Sequence, residues 1–199
     1  EAMHTIIVQP VATATPLKGS IQLDGEFNET AWREAESFSD DKPEETRITV
    51  RFLYDERHLY VAARLGEPNP DGMRAEAGGD IPLTWSDDDF ELFFDPQNTR
   101  SEYSRLFQNF AGTRFNSFPR HIEDKYFTSR YESAIQVNED HWTLEMQIPW
   151  DEMYAEEAPV SGDSWGFNFG RHRQQSELAR SAWTDSFYNS ARYGILEFK

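Results

Sequence analysis

Hydrophobic and polar residues alternate along much of the chain with a period of two, the pattern of β-strands that bury one face. In residues 46–54, Ile48, Val50 and Phe52 are separated by polar residues. The same alternation returns in residues 59–65, after a polar turn at residues 55–57. The two segments predict a β-hairpin.

Similar patterns predict further strands at residues 90–94, 103–110, 113–115, 142–148, 165–169 and 195–198. Among the apolar side chains expected to be buried are Phe52, Val61, Phe93, Leu144 and Phe167. Helical signals are short and fall at residues 28–35 and 149–153, and Trp32 in the first is expected to be a buried strut. Many short strands without a long helix predict an all-β fold: an antiparallel β-sandwich, immunoglobulin-like or jelly-roll-like, with one or two short helical turns.

The length of 199 residues suits one domain with a full hydrophobic core. We expect residues 19–199 to form a single β-sandwich domain. Residues 1–18 are predicted to be a leader or an edge segment rather than a core element.

The charge balance narrows the range of partners. Nineteen Lys and Arg residues against 36 Asp and Glu residues give a net charge of −17, which argues against nucleic acid as a partner. No apolar run approaches the roughly 18–20 residues that span a bilayer, so no membrane insertion is expected. The chain has no Cys, which excludes disulfides and thiol catalysis.

The densest acidic cluster is formed by Asp87, Asp88 and Asp89, with Glu91 two residues further on. Ca²⁺ binds six to eight oxygen ligands, so these three Asp residues are weak candidates for a calcium site. A solvated loop at the start of a strand is the simpler interpretation. Paired carboxylates also occur in glycosidases, but the sequence singles out no particular pair.

Trp85 precedes this cluster in a turn-rich loop. A Trp ring beside carboxylates suits a sugar, because the ring stacks on the apolar face of a pyranose while polar groups bind its hydroxyls. From its position alone, Trp85 could equally close the end of the sandwich. The five His residues show no spacing typical of zinc, and His with Met leaves haem as a minority interpretation, although Met146 lies on an apolar strand face.

Three segments together resemble family 9 carbohydrate-binding modules and the related DOMON-type β-sandwiches. Residues 21–32 resemble the opening I-x-L-D-G followed by a Trp, residues 50–61 resemble V-x-Y-D-x-x-x-L-Y-V, and residues 85–96 resemble W-x-x-D-x-V-E-I-F-x-D. Further matches lie at Asn109 with Gly112 and at residues 142–150, 166–168, 181–183 and 193–196. The resemblance covers about residues 20–199, and the order and spacing of its pieces are more specific than any one of them.

The resemblance implies a sugar-binding site that two aromatic rings clamp. By position, Trp85 is the first ring, Glu91 is an acceptor for sugar hydroxyls, and Asn109 and Arg105 contribute from the neighbouring strand. The second ring of the family is expected between residues 183 and 194, where this chain has no Trp. Phe187 or Tyr188 is the expected substitute.

The function that follows is non-catalytic binding of a plant-type or other polysaccharide, such as xylan or cellulose. The resemblance further implies a secreted, periplasmic or cell-surface protein and a covalently linked catalytic domain as a partner. Some family members hold calcium, and distant relatives bind haem. A haem-binding electron-transfer domain on the same sandwich is therefore the alternative function, and a free-standing glycosidase ranks below it.

Overall fold

The computed structural model describes residues 8–76, 86–117, 127–175, 180–184 and 186–199. Its strands are β1 (Val11–Pro16), β2 (Ser37–Ser39), β3 (Ile48–Tyr54), β4 (His58–Gly66), β5 (Asp89–Asp95), β6 (Ser104–Asn109), β7 (Arg114–Ser117), β8 (Phe127–Thr128), β9 (Glu132–Val137), β10 (His141–Pro149), β11 (Ser164–His172), β12 (Arg180–Ala182) and β13 (Gly194–Phe198). Helix α1 (Thr30–Glu34) is five residues long. Single-turn 3-10 helices lie at Glu44–Thr46, Pro70–Gly72, Trp150–Met153 and Ser190–Arg192.

These strands form one curled sheet in the order β8-β7-β6-β5-β11-β13-β1-β3-β4-β10-β9, with β12 beside β11 and β2 beside β3. The described pairings are antiparallel except for those of β1. The sheet folds over itself so that β3 faces β11, and the rings of Phe52 and Phe167 meet edge to face at 5.1 Å between centroids. The predicted all-β sandwich is confirmed.

The main core lies between the two halves of the curled sheet. Each of the five side chains predicted to be buried is at most 1% exposed, namely those of Phe52, Val61, Phe93, Leu144 and Phe167. The predicted hairpin of residues 46–65 is the pair β3 and β4. Strands β5 and β6 are buried along their whole length, on both faces. The face of these strands that points away from the main core is therefore covered as well.

Residues 11–16 correct the expectation for the N-terminal segment. They form β1, which lies inside the sheet and pairs in parallel with β13 on one side and β3 on the other. Ala12 and Ala14 are fully buried. The expectation of a leader or edge segment is therefore wrong for these residues. Small Ala side chains alternating with Thr carry little hydrophobic signal, although they fit a strand flanked on both sides.

Helix α1 lies on the other side of β3 and β4. Trp32 in this helix is 1% exposed and packs in a second core cluster with Leu53 and Tyr60. The prediction that Trp32 is a buried strut is confirmed. Among the described residues, no helix is both long and apolar enough to cross a membrane.

Candidate functional site

A second buried layer lies on the face of β5, β6 and β11 that points away from the main core, which we call the outer face. Side chains alternate between the two faces of a strand, and Phe90, Leu92 and Phe94 of β5 and Trp165, Phe167 and Phe169 of β11 lie in the main core. Asp89 and Glu91 of β5, Arg105 of β6 and His172 of β11 therefore point to the outer face. These four residues, the charged layer, are each at most 8% exposed.

Glu91 and Arg105 form the strongest contact of the charged layer. The Nε and Nη2 atoms of Arg105 donate to the two carboxylate oxygens of Glu91, each at 2.6 Å. This fork-to-fork pairing fixes both side chains in one orientation and is stronger than a single neutral hydrogen bond. Both predicted binding residues thus lie on the outer face and are bound to each other.

His172 connects the two carboxylates of the layer. Its backbone N–H donates to Oδ1 of Asp89 at 2.9 Å, and its Nδ1 lies 2.9 Å from Oδ2 of the same residue. Nδ1 also lies 3.1 Å from Oε1 of Glu91. Asp89, His172, Glu91 and Arg105 therefore form one continuous network across three neighbouring strands.

Burial and the ion pairs within the charged layer shift the pKa values of Glu91, Asp89 and His172. Burial alone would raise the pKa of Glu91, but Arg105 and His172 lower it to about 2. Burial, followed by the negative charge of Glu91, raises the pKa of Asp89 to about 7. Burial alone would lower the pKa of His172, but Asp89 and Glu91 raise it to about 9. At neutral pH the imidazole is therefore protonated.

Aromatic rings cover part of the charged layer. Phe93 of β5 is in ring contact with Tyr103, Phe187, Tyr188 and Tyr193 at centroid distances of 5.7–6.3 Å. Phe187 is 9% exposed, whereas Tyr188 is 49% exposed. The guanidinium carbon of Arg105 lies 5.9 Å from the centre of the Tyr188 ring. Tyr188 thus offers a solvent-accessible ring directly beside the Arg105–Glu91 pair.

Asn109 lies on the same face but supports a turn. Its Oδ1 accepts hydrogen bonds from the backbone N–H groups of Ala111 and Thr113, at 3.1 and 2.9 Å. Its Nδ2 donates to Asp87 at 2.8 Å. Asn109 is fully buried. The structure therefore places this residue in the connection between β6 and β7, and its role as a sugar contact stays a prediction.

The three Asp residues considered for calcium accept hydrogen bonds from nearby N–H groups. Asp87 accepts from the backbone N–H of Glu76 at 2.6 Å, in addition to Asn109. Asp88 accepts from the backbone N–H groups of Arg74 and Gln174, and Asp89 accepts from His172. Each carboxylate serves a different set of N–H donors. The role of these residues as calcium ligands stays a prediction.

One other group of residues has the spacing of a metal site. Among the described residues, Asp89, Glu91 and His172 bring potential ligand atoms within 4.8 Å of one another. Arg105 already binds both oxygens of Glu91, and the protonated His172 faces both carboxylates. In this structure the three residues and Arg105 form an ion-pair network.

Trp85, the predicted first clamp ring, lies outside the described residues, so its role stays a prediction. His172 was missed by the sequence analysis. The signal for it was present, because Trp165, Phe167 and Phe169 alternate towards the core. Continuing that alternation to residue 172 places a His on the opposite face, next to the strand that carries Glu91.

The chain is a β-sandwich whose outer face carries a buried charged layer and a set of aromatic rings. The sequence profile described as "Carbohydrate family 9 binding domain-like" matches residues 19–199. The chain therefore belongs to this family. The class predicted from the sequence, a non-catalytic carbohydrate-binding module, is confirmed.

Two curated relatives are similar over most of the chain. Endo-1,4-beta-xylanase A of Thermotoga neapolitana is 26% identical over 94% of the chain, and Endo-1,4-beta-xylanase A of Thermotoga maritima is 25% identical over the same share. The chain spans 17% of the length of each xylanase. The similarity is therefore to one part of each of these proteins.

Solved structures share the fold. A family 9 carbohydrate-binding module from Caldicellulosiruptor kristjanssonii, solved with cellotriose, superposes with a TM-score of 0.71 at 18% identity, over 96% of this chain and 94% of the module. A putative carbohydrate-binding protein from Bacteroides uniformis gives 0.74 at 16% identity, over 96% of this chain and all of that protein. The haem-binding alternative is not favoured by these relatives, and Met146 lies in the main core.

Proposed function

We propose that this protein binds β-linked gluco- or xylo-oligosaccharides on its outer face. The observation that carries the proposal is the position of Tyr188, whose half-exposed ring lies beside the buried Arg105–Glu91 pair. A sugar presents apolar C–H faces and directional hydroxyls together. A surface that binds it needs an aromatic ring and polar groups at one place, and the outer face has both.

The charged layer suits this task because it is held in place before a ligand arrives. The two bonds between Arg105 and Glu91 and the contacts of His172 fix these side chains in one arrangement. A site that is already ordered loses less conformational entropy when it binds. Hydrogen bonds that involve charged groups are also stronger than neutral ones.

The proposed site includes the residues predicted from the sequence. Trp85 is proposed as the ring that opposes Tyr188, since its loop directly precedes β5. Phe187 packs under Tyr188, with 5.9 Å between the ring centroids, and so supports it rather than facing the solvent. Asn109 is proposed to act indirectly, by holding the turn after β6.

The relatives suggest the ligand class and the setting. The Caldicellulosiruptor module was solved in complex with cellotriose and with glucose, and the two curated relatives are endo-1,4-beta-xylanases. We infer that this module is linked to a catalytic domain that acts on plant-type polysaccharide. Such polymers are too large to enter a cell intact, which supports a secreted or cell-surface protein.

The test is calorimetric titration of the protein with glucose, cellotriose and xylotriose. We expect measurable binding of at least one of them. Trp85→Ala should lower the affinity for that sugar about thirtyfold, because a large apolar ring contributes about 2 kcal/mol and each 1.4 kcal/mol is a factor of about ten.

The matched control is Tyr154→Ala. Tyr154 is 39% exposed, follows the 3-10 helix Trp150–Met153 and is not one of the residues of the proposed site. This variant removes a partly exposed aromatic ring and should bind as the wild type does. A wild-type protein that binds none of these sugars would contradict the proposed ligand class. Equal affinities for the wild type and folded Trp85→Ala would place the site elsewhere.

A further inference from the structure

Within the part of the chain that the structure describes, one nitrogen of the His172 imidazole has no hydrogen-bond partner. The residue is 1% exposed, and its Nε2 atom has no hydrogen-bond partner among the described residues. A buried polar atom that is left unpaired costs stability, so native proteins rarely keep one without a reason. Other buried atoms of the described residues, such as Nε1 of Trp142, are also unpaired, but His172 differs from Trp142 because it lies in the charged layer of the proposed site.

The contacts of Nδ1, the other ring nitrogen, determine which of the two imidazole protons is lost when His172 becomes neutral. Nδ1 lies 2.9 Å from Asp89 Oδ2 and 3.1 Å from Glu91 Oε1, and both are acceptors. Nδ1 therefore keeps its proton whether the ring is charged or neutral. The proton that His172 gains or loses is the one on Nε2. Because the two carboxylates raise the pKa of His172 to about 9, Nε2 carries this proton at neutral pH.

The imidazole of His172 lies beneath the aromatic cover of the charged layer. Phe187 lies over the imidazole with 5.4 Å between centroids and an angle of 33°. Tyr188 is in ring contact with Phe187, at 5.9 Å between centroids, so the exposed ring lies next to the ring that covers His172.

The charges around the imidazole come from the two neighbouring strands. Among the described residues, Asp89 and Glu91 of β5 face the ring, and Arg105 of β6 is bound to Glu91. With His172 protonated, the layer has two cations opposite two carboxylates. It therefore needs no anionic ligand. An uncharged oxygen that accepts a hydrogen bond is sufficient for Nε2.

Resting on the proposed function, we propose that Nε2 of His172 donates a hydrogen bond to a hydroxyl oxygen of the bound sugar, so that sugar affinity depends on the protonation of His172. When the ring is charged, this bond is charge-assisted and strong. When the ring loses its proton, Nε2 changes from a donor to an acceptor, and only a weaker neutral bond remains.

The first test is calorimetric titration with cellotriose, with xylotriose in parallel, at about pH 7.5 and about pH 10.5, on either side of the His172 pKa. We expect the affinity of the wild type to fall about tenfold at the higher pH, with circular dichroism confirming that the fold persists. His172→Gln should bind weakly at both values. His58→Gln is the control, because His58 lies on β4 beside Gln147, and it should keep the pH dependence of the wild type.

The second test measures the proton directly. An NMR titration of the His172 imidazole, assigned by the signals that disappear in His172→Gln, gives its pKa with and without cellotriose. Because proton and sugar binding are linked, a tenfold change in affinity requires the pKa to rise by about one unit when the sugar is bound. A purely structural His172 would keep the same pKa in both states.

The outcomes separate this inference from the proposed function. A wild type that binds a sugar with the same affinity at both pH values, and an unchanged His172 pKa, would overturn the role of Nε2 and leave the proposed function intact. A wild type that binds neither sugar would contradict the proposed function itself. If His172→Gln does not fold, two measurements on folded proteins still test the role of Nε2. One is the pH dependence of the affinity of the wild type, and the other is a comparison of its five His signals, with and without sugar, with those of His58→Gln.

Discussion

Trp32 and Glu145 are 113 residues apart in the chain and form a buried hydrogen bond. The indole Nε1 of Trp32 donates to Oε1 of Glu145 at 2.7 Å. The other oxygen of Glu145 accepts from the backbone N–H groups of Asp24 and Gly25. One carboxylate of β10 therefore holds both the loop before α1 and the helix itself.

Trp32→Phe should destabilise the protein more than Trp142→Phe does. Both substitutions shrink a buried Trp, but Nε1 of Trp142 has no hydrogen-bond partner among the described residues. Only Trp32→Phe leaves a carboxylate oxygen without its donor, which adds about 1–3 kcal/mol to the loss. Urea denaturation of the two variants measures the difference. Equal losses would mean that the hydrogen bond to Glu145 contributes nothing.

The alternation of apolar and polar residues was sufficient to predict the sandwich. A strand with one polar face produces a period-two pattern that is visible in the sequence. The sequence did not reveal β1, since Ala12 and Ala14 are too small to produce a clear pattern. It also did not reveal that β1 pairs in parallel with β3 and β13. Parallel pairing depends on which strands the fold brings together and leaves no turn signal in the chain.

Glu67 connects the two halves of the sandwich. It follows β4 and binds Arg171 and Arg173 of the other half at 2.9–3.1 Å. Arg171 also donates to the carbonyl of Gly66 at 2.7 Å. Glu67 and Arg171 are at most 1% exposed. Burial alone would raise the pKa of Glu67, but Arg173, and then Arg171, lower it.

Glu67→Gln should lower the free energy of unfolding by about 3–5 kcal/mol, because it leaves a buried guanidinium without its counter-charge. Thermal or urea denaturation at neutral pH measures the loss. The control is Glu197→Gln, which removes an exposed pair with Lys199 and should cost less than about 1 kcal/mol. A similar, small effect of both variants would show that the Glu67 pairs do not stabilise the fold.

The charged layer should make stability fall at alkaline pH. The pKa of His172 is about 9 in the folded protein, above its ordinary value of 6.5. The stabilisation is therefore complete below about pH 6.5 and is lost as the pH rises through about 9, on the order of 3 kcal/mol at 1.36 kcal/mol per pKa unit. The pKa of Asp89 is also raised, to about 7. Its contribution is therefore lost as the pH rises through about 7, before that of His172.

Denaturant unfolding between about pH 7.5 and about pH 10.5 isolates the His172 contribution. The wild type should lose stability across this range, and His172→Gln should show a flatter profile. His58→Gln serves as the reference and should follow the wild type. Parallel profiles for the wild type and His172→Gln would refute the strong coupling between His172 and the two carboxylates.

The candidate site was only partly predictable. Glu91 and Arg105 could be assigned to one face, because their strands alternate clearly. Asn109 was predicted as a sugar contact, but the structure engages its amide in the β6–β7 turn. A side chain that holds a turn and one that binds a ligand look the same in a sequence. The link between Asp89 and His172, 83 residues apart, depends on the pairing of β5 with β11.

Tyr188 provides the sharpest test of the outer face as a sugar site. Its ring is half exposed, so Tyr188→Ala should change the stability little, whereas Tyr188→Phe keeps the ring and removes only the hydroxyl. If the ring stacks on a sugar, Tyr188→Ala should lower the affinity roughly tenfold, about 1.4 kcal/mol. Tyr188→Phe should retain most of the affinity, because the apolar contact and the packing on Phe93 remain. Calorimetric titration with cellotriose measures all three proteins. A loss in Tyr188→Phe as large as that in Tyr188→Ala would assign the contribution to the hydroxyl, and no loss in either would remove Tyr188 from the site.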